Sequence, residues 1–527
     1  MTMSEHHSRV PADDHLLSDE AAAELAHIPT EVLDLGDAPP LAPAPALSKS
    51  EVRAIVLSLL LAMFLAALDQ TIVATALPTI GRQFGDAENL SWVITAYLLS
   101  STAVAPVFGS LADIYGRRAT IIGSLSLFVA GSVMCATAPS LLMLILGRAL
   151  QGLGGGGIMP VVQTVISDVV TPRERGQYQA YFSAVWVTGG IGGPILGGVF
   201  AEHLSWSMIF WINLPLAAAA LALLLPKMGK IPVYHRRRKV DWLGGVLLMA
   251  SALSLMLALT WGGTRYAWLS LTILALAGAA TLLGTAFVWH ALRTAEPFLP
   301  LQVLGGTVVP WAMAAGGCCM GAMIGLTVHL PLYYEVVYHL SASESGLALI
   351  PIAAISVAGA AFAGRAMTKV AHYKRIAIIG TSSASALAML IALITPLPLW
   401  LLLTLIAIFS IGLGTVFPVS VVSIQNAVAR PQIGTATGAM NFFRALLASF
   451  TVAGFTTILL IAFGGQLQLG GEGHHSAAGI DAAQMVATFR YVFGAAAVML
   501  AAAALCLVKM EERKLAGPER PSMAMAE

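Results

Sequence analysis

The number and length of the apolar segments constrain the fold of this chain more than any other feature. A helix needs about 20 mostly apolar residues to cross a bilayer, and the sequence contains fourteen such runs. Backbone polar groups in lipid must be paired within the protein, so each run is expected to be helical. The expected spans centre on 54–80, 90–112, 118–138, 141–170, 176–200, 205–226, 241–262, 267–291, 309–336, 345–367, 375–395, 398–428, 434–464 and 487–508.

The composition agrees with an all-α integral membrane protein. Of the 527 residues, 57% are hydrophobic and 10% are charged, whereas a soluble domain has about 25% charged residues. The net charge of +1 gives no indication of a nucleic-acid partner. We expect the lipid bilayer to be the surroundings of most of the chain.

Basic residues predict the orientation of the spans. The stretches DIYGRR, TPRERG, KMGKIPVYHRRRK and RAMTKVAHYKR fall in alternate loops. The positive-inside rule assigns such loops to the cytoplasm. With an even number of spans, both termini are then expected to be cytoplasmic.

Loop lengths predict two halves with a similar plan. The six spans of 51–226 and the six of 292–508 would form two bundles, separated by a basic loop at 227–240 and two extra spans at 241–291. Polar tails cover 1–50, which is acidic and rich in proline and alanine, and 509–527. Paired bundles with a site between them are typical of secondary transporters. No phosphate-binding loop of the type GxxxxGK[ST] is present that would serve ATP hydrolysis.

Asp69 places a carboxylate inside the first apolar run, where a charge costs roughly 2.5–3.5 kcal/mol. Arg148 lies in the fourth run, with Gln151 one turn further on. We predict that Asp69 carries a proton, because burial favours the protonated form of a carboxylate and a nearby cation such as Arg148 favours the ionised form, so that the balance can shift as water access changes. Two alternatives stay open for Asp69: a purely structural partner for Arg148, or a group that binds a cationic substrate.

The loop after the second span reads GSLADIYGRR. Gly109 allows close helix approach, Gly116 permits a tight turn, and Asp113 can pair with Arg117 or Arg118 or cap a helix end. Taken alone, this stretch could be a positive-inside loop whose surface ion pair contributes little.

The fifth span reads VTGGIGGPILGGVF and repeats glycine every four residues. Gly189, Gly193 and Gly197 would form a smooth face for tight helix packing. Pro194 can kink the helix, and Gly198 completes the pattern GxxxGPxxGG.

Together these stretches resemble the major facilitator superfamily, and within it the fourteen-span drug:proton antiporters. LDQTIVATALP, WSMIFWINLP and GTATGAMNFFRALLASF resemble motifs of the first, sixth and thirteenth spans of that group. The resemblance covers residues 52 to about 510, with departures at Thr75 and Ile114. It implies a cytoplasmic latch between the two halves that opens when the carrier changes state. It also implies that RxxQG in the fourth span serves proton coupling and that the fifth-span glycines mark an exporter. The latch residues would be Gly109, Asp113, Gly116, Arg117 and Arg118, and the coupling residues Asp69, Arg148 and Gln151.

Candidates for the substrate path are aromatic and polar residues of the fifth, twelfth and thirteenth spans. For each of the aromatic residues, facing lipid or serving packing is the more common role, and Arg444 could neutralise an anionic substrate or pair with carbonyls. Glu335, at the outer end of the ninth span, is also explained by an aromatic interfacial belt. The candidates are Tyr181, Phe182, Trp186, Phe417, Asn441, Phe442 and Arg444.

We therefore expect a monomeric, proton-coupled exporter of amphipathic, cationic or neutral drugs in a prokaryotic inner membrane. It would work by alternating access, with the proton gradient as its energy source and without a cofactor, a metal or enzyme activity. One alternative cargo is an endogenous metabolite, such as a siderophore, a lipid or an antibiotic. Another alternative is a transport-dead receptor or scaffold.

Overall fold

A computed structural model describes residues 48–86, 89–230, 239–463 and 481–515. The described residues contain 14 helices that are long and apolar enough to cross a membrane, which confirms the expected number. Nearly all of the tail 1–50, most of the basic loop 227–240 and the end of the tail 509–527 lie outside the described residues. Spans 1 to 14 cover Ser50–Phe84, Trp92–Tyr115, Arg117–Ala136, Leu141–Val169, Pro172–His203, Met208–Gly229, Trp242–Trp261, Leu271–Arg293, Val309–Tyr338, Ser343–Met367, Lys374–Ile394, Leu399–Ala427, Arg430–Phe463 and Ala482–Lys509.

The helix of span 1 starts earlier than its apolar run. Ser48 accepts a hydrogen bond from the Glu51 N–H through its side chain, and the Glu51 carboxylate accepts one from the Ser48 N–H. This capping box satisfies two backbone donors of the first turn. The helix therefore runs from Lys49 to Phe84, and the boundary expected after residue 50 falls inside its first turn.

Span 6 consists of two helices in series. Met208–Trp211 is followed by Asn213–Leu224, and a 3₁₀ segment continues over Leu225–Lys230. The second helix begins at Asn213, whose side chain is fully buried. The start of this helix therefore places an amide group inside the protein.

The two halves share one pattern of helix pairing. In the N half, which we define as spans 1–6, span 1 packs on spans 5 and 6, and span 2 packs on span 4. In the C half, defined as spans 9–14, span 9 packs on spans 13 and 14, and span 10 packs on span 12. The structure thus has the expected fold of two six-helix bundles with two additional helices.

The halves meet mainly along two helix pairs, span 2 with span 13 and span 5 with span 10, and also where span 12 contacts span 5 and span 13 contacts span 4. We call this contact between the halves the seam. Glycines allow this contact, because a Cβ on Gly109 would collide with the backbone of Gly434, and one on Gly364 with that of Gly176. Both contacts lie near the ends of the spans that carry the basic loops, which we call the basic side. Spans 7 and 8 pack on each other, and span 7 also contacts spans 2 and 13 beside the seam.

Candidate functional site

Asp69 and Arg148 form a buried ion pair in the N half. Arg148 Nη1 lies 2.7 Å from Asp69 Oδ2, and the two residues are 0% and 1% exposed. Arg148 also donates through Nε to the Val93 carbonyl at 3.0 Å. Its guanidinium carbon lies 4.2 Å from the centre of the Tyr97 ring, which adds a cation–π contact.

Three neutral polar side chains complete this network. Gln151 donates to Asp69 Oδ1 at 2.7 Å and accepts from Arg148 at 2.6 Å. Asn213 donates to the same carboxylate oxygen at 2.8 Å. Ser132 accepts from both amides, at 2.7 Å and 3.2 Å. We call these five residues the acidic network; its members come from spans 1, 3, 4 and 6.

The ion pair at the centre of the acidic network depends on both of its charges. Removing one charge of a buried ion pair typically costs 3–5 kcal/mol, because the remaining charge stays uncompensated. Protonation of Asp69 would therefore favour any state that brings other polar partners or water to Arg148. Asn213 Oδ1 is buried without a hydrogen-bond partner in the described part of the chain. A rotated Asn213 amide could accept a hydrogen bond from a protonated Asp69.

Asp113 connects the two halves on the basic side. Its carboxylate accepts hydrogen bonds from the Gly434 N–H at 3.0 Å, the Thr435 N–H at 2.7 Å and the Thr435 hydroxyl at 2.8 Å. Gly434 and Thr435 lie in the first turn of the span 13 helix Ile433–Phe463. A carboxylate is stabilised there by unpaired backbone donors and by the helix dipole. Both interactions that the sequence suggested for Asp113, an ion pair and a helix cap, are present.

The ion pair of Asp113 is made with Arg117, not with Arg118. Arg117 Nη1 lies 3.1 Å from Asp113 Oδ1, and Arg117 Nε lies 2.9 Å from Asp168 Oδ2. Arg117 is buried, whereas Arg118 is exposed. Gly116 between the helices has φ +85°, in the region that favours glycine. The tight turn at Gly116 thus directs one arginine inward and leaves the next on the surface.

The glycines of span 5 divide between two faces. Gly189, Gly193 and Gly197 face span 1, where an added Cβ would contact the backbone of residues 67–72. The Thr71 hydroxyl donates to the Gly189 carbonyl at 2.8 Å across this contact. Pro194 is exposed and Gly198 has open space where a Cβ would lie. Only part of the predicted motif therefore takes part in close packing.

The candidates for the substrate path in span 5 do not form one surface. Tyr181 is 54% exposed, whereas Phe182 is only 4% exposed and packs in the main hydrophobic core. Trp186 is half-buried.

The candidates in spans 12 and 13 lie closer together. Phe442 packs with Ala103 and Ala252, beside the seam. Asn441 donates to Gln163 of the N half at 3.0 Å. Phe417 is half-buried, and its ring centre lies 5.6 Å from the guanidinium carbon of Arg444.

Sequence reasoning missed several residues of these networks. Ser132 and Asp168 stand in stretches without a recognised motif, and Thr435 contributes through its backbone as much as through its hydroxyl. Asn213 lies within WSMIFWINLP, a motif that was recognised as a whole. A polar side chain inside this apolar run is the signal in the sequence that marks Asn213.

Comparisons with known proteins identify the family. The model of the Major Facilitator Superfamily matches residues 59–453. The chain is 35% identical over 414 residues to the efflux pump FUS6 of Gibberella moniliformis, covering 76% of this chain and 73% of that protein. It is 30% identical over 448 residues to multidrug resistance protein 3 of Bacillus subtilis, covering 85% and 87%.

A solved structure agrees with the fold. The proton:xylose symporter XylE superposes with a TM-score of 0.58 at 15% identity, covering 88% of this chain and 96% of that chain. At this identity the likeness concerns the fold alone.

Proposed function

The chain belongs to the major facilitator superfamily, and on that premise we propose that it is a proton-coupled exporter of amphipathic small molecules. Relatives are named as an efflux pump and a multidrug resistance protein, which supports export of organic compounds. Coupling to protons would supply the energy, without a cofactor. The expectation of cationic or neutral cargo stays a prediction.

The buried Asp69–Arg148 pair is the observation that carries this proposal. A deep ion pair is costly because two charges must leave water, so its presence favours a functional role. Here the carboxylate is held by Gln151 and Asn213, whose amides can donate or accept. In our proposal these amides donate to the ionised carboxylate and accept from the protonated one, while the unpaired Arg148 drives the change of state.

The contacts between the halves support alternating access. Asp113 joins span 2 to the start of span 13 through hydrogen bonds, and Gly109 permits the close approach beside it. These contacts close the basic side, which the positive-inside rule assigns to the cytoplasm. We propose that the chain lies in the inner membrane of a prokaryote with both termini cytoplasmic. As each chain contains both halves of a transport path, it would act as a monomer.

Proton movement in proteoliposomes tests this function directly. Wild-type protein and Asp69→Asn are reconstituted with an internal pH dye, and an ethidium-like amphipathic cation is added. Wild type is expected to move protons when the compound is added, and Asp69→Asn is expected to have lost this response. Glu202→Gln removes one carboxylate at an exposed site of span 5 and is the matched control.

The outcomes separate the parts of the proposal. Equal proton flux in wild type and Asp69→Asn would move the proton site elsewhere and refute the role of Asp69. Absence of flux in wild type with cationic, neutral and anionic compounds would refute a proton-coupled exporter. Loss of flux in Glu202→Gln as well would show that the effect is not specific to the buried carboxylate.

A further inference from the structure

Arg444 is a buried cation in the C half that has few partners. It is 7% exposed, and its Nη2 donates to the Ser420 hydroxyl at 2.5 Å. Its Nε is buried and has no hydrogen-bond partner among the described residues. A buried donor without a partner is costly, so this atom points to a group that the chain itself does not provide.

Two other buried arginines have counter-ions: Arg148 pairs with Asp69, and Arg117 pairs with Asp113 and Asp168. A further buried arginine, Arg175, has its donors satisfied by the backbone carbonyls of Ser167 and Val170. Within residues 48–86, 89–230, 239–463 and 481–515, no carboxylate lies within 4.0 Å of the Arg444 guanidinium. Buried charges in proteins are normally paired. Arg444 therefore lacks the counter-ion that Arg148 and Arg117 possess.

The surroundings of Arg444 fit an amphipathic ligand with an anionic group. Gly316 of span 9 borders the guanidinium, and a Cβ there would lie only 3.0 Å from Nε. Glycine thus keeps a side chain from crowding Nε, while the backbone of span 9 packs close to the guanidinium on this side. The half-buried ring of Phe417 lies beside the same guanidinium and offers an apolar surface. Arginine binds carboxylates well, because its donors match their two oxygens.

The position of Arg444 suits capture of cargo from the cytoplasmic side. It lies one turn beyond Asn441, which contacts Gln163 of the N half, so it is next to the plane between the halves. Ser420 lies seven residues before Ala427, where the span 12 helix ends on the basic side, or about 10 Å inward. Opening of the basic side would separate Asn441 from Gln163 and expose this region first.

We propose that Arg444, with Ser420 and Phe417, forms a binding site for the carboxylate of an amphipathic anionic or zwitterionic substrate. This inference rests on the proposed function and specifies the substrate class of the exporter. It departs from the expectation of cationic or neutral cargo, because the deep carboxylate Asp69 is already paired whereas the deep cation Arg444 is not.

Three compounds with one fluorophore provide the test. Dansylglycine carries a carboxylate, its methyl ester is neutral, and dansylcadaverine is a cation. Binding of each is measured by fluorescence with the full-length protein in lipid nanodiscs. Wild type is expected to bind dansylglycine at least about tenfold more tightly than the ester, in line with a charge-assisted hydrogen bond.

Variants of Arg444 show whether this preference depends on the guanidinium. Arg444→Gln is expected to abolish the preference for the acid, because it weakens binding of the carboxylate far more than binding of the ester. Arg444→Lys retains the charge without the two-pronged geometry, so it should retain part of the preference. Arg293→Gln makes the same change at an exposed site and is the matched control. Melting temperatures in nanodiscs identify any variant that does not fold.

The results distinguish this inference from the proposed function. Equal binding of acid and ester by wild type, or an unchanged preference in Arg444→Gln, would overturn the anion site. If dansylcadaverine still drove proton flux in that case, the exporter would stand with a different cargo. Conversely, Arg444-dependent binding of dansylglycine without any proton flux would support the site and refute the proton coupling.

Discussion

Replacing Asp113 by asparagine should open the basic side of the protein. The carboxylate accepts three hydrogen bonds from Gly434 and Thr435 and pairs with Arg117 at 3.1 Å. An asparagine keeps one accepting oxygen and directs an NH₂ group at a backbone N–H. It also loses the favourable interaction of a negative charge with the helix N-terminus.

The magnitude follows from these contacts. Each hydrogen bond to a charged group contributes about 1.5–3 kcal/mol, and two of them are lost or weakened. Asparagine is neutral, so the cost of burying the charge of Asp113 is removed, which offsets part of this loss. We expect a net shift of about 2 kcal/mol, or about thirtyfold, from the closed towards the open state of the basic side.

Distance measurements between spin labels can detect this shift. Ala119 and Lys369 are exposed at the basic side, one in each half, and are replaced by cysteine for labelling after removal of the four native cysteines. Double electron–electron resonance spectroscopy should show one short distance between the two labels in wild type and an additional, longer distance in Asp113→Asn. Asp86→Asn, on the opposite side, is the control. An unchanged distance distribution in Asp113→Asn would refute the latch.

Three further predictions concern the stability of the purified protein in detergent. Arg148→Ala should lower the free energy of unfolding by about 3–5 kcal/mol by leaving Asp69 unpaired, and adding Asp69→Asn should restore part of it in a double-mutant cycle. Gly197→Val should cost about 1–3 kcal/mol through a clash with span 1, whereas Gly198→Val, in open space, should leave the melting temperature within one or two degrees. Asp241→Ala removes an N-cap and should cost about 1 kcal/mol at neutral pH. Burial raises the pKa of Asp241, but hydrogen bonds from neighbouring backbone N–H groups and His290 outweigh this and hold the pKa below its ordinary value. The ionised carboxylate therefore stabilises the fold above its unfolded pKa, and the difference between wild type and variant should vanish as the pH falls through the folded pKa.

Local features of the sequence were sufficient to predict the fold and part of the candidate site. Each of the fourteen spans is determined by its own run of apolar residues, because insertion depends on the hydropathy of one segment at a time. The deep charges Asp69 and Arg148 were expected to find partners for the same reason, since lipid offers none. Glycines at intervals of four predicted a packing face on span 5 without showing which helix it meets.

Which side chains meet depends on how distant segments pack against each other. The partners of Asp113 at the start of span 13 lie more than 320 residues away along the chain. Asn213 and Ser132 reach the acidic network because spans 6 and 3 are rotated towards Asp69. Arg118 does not reach Asp113, because the turn at Gly116 directs it outward. Helix rotation depends on packing among distant segments, which no local pattern encodes.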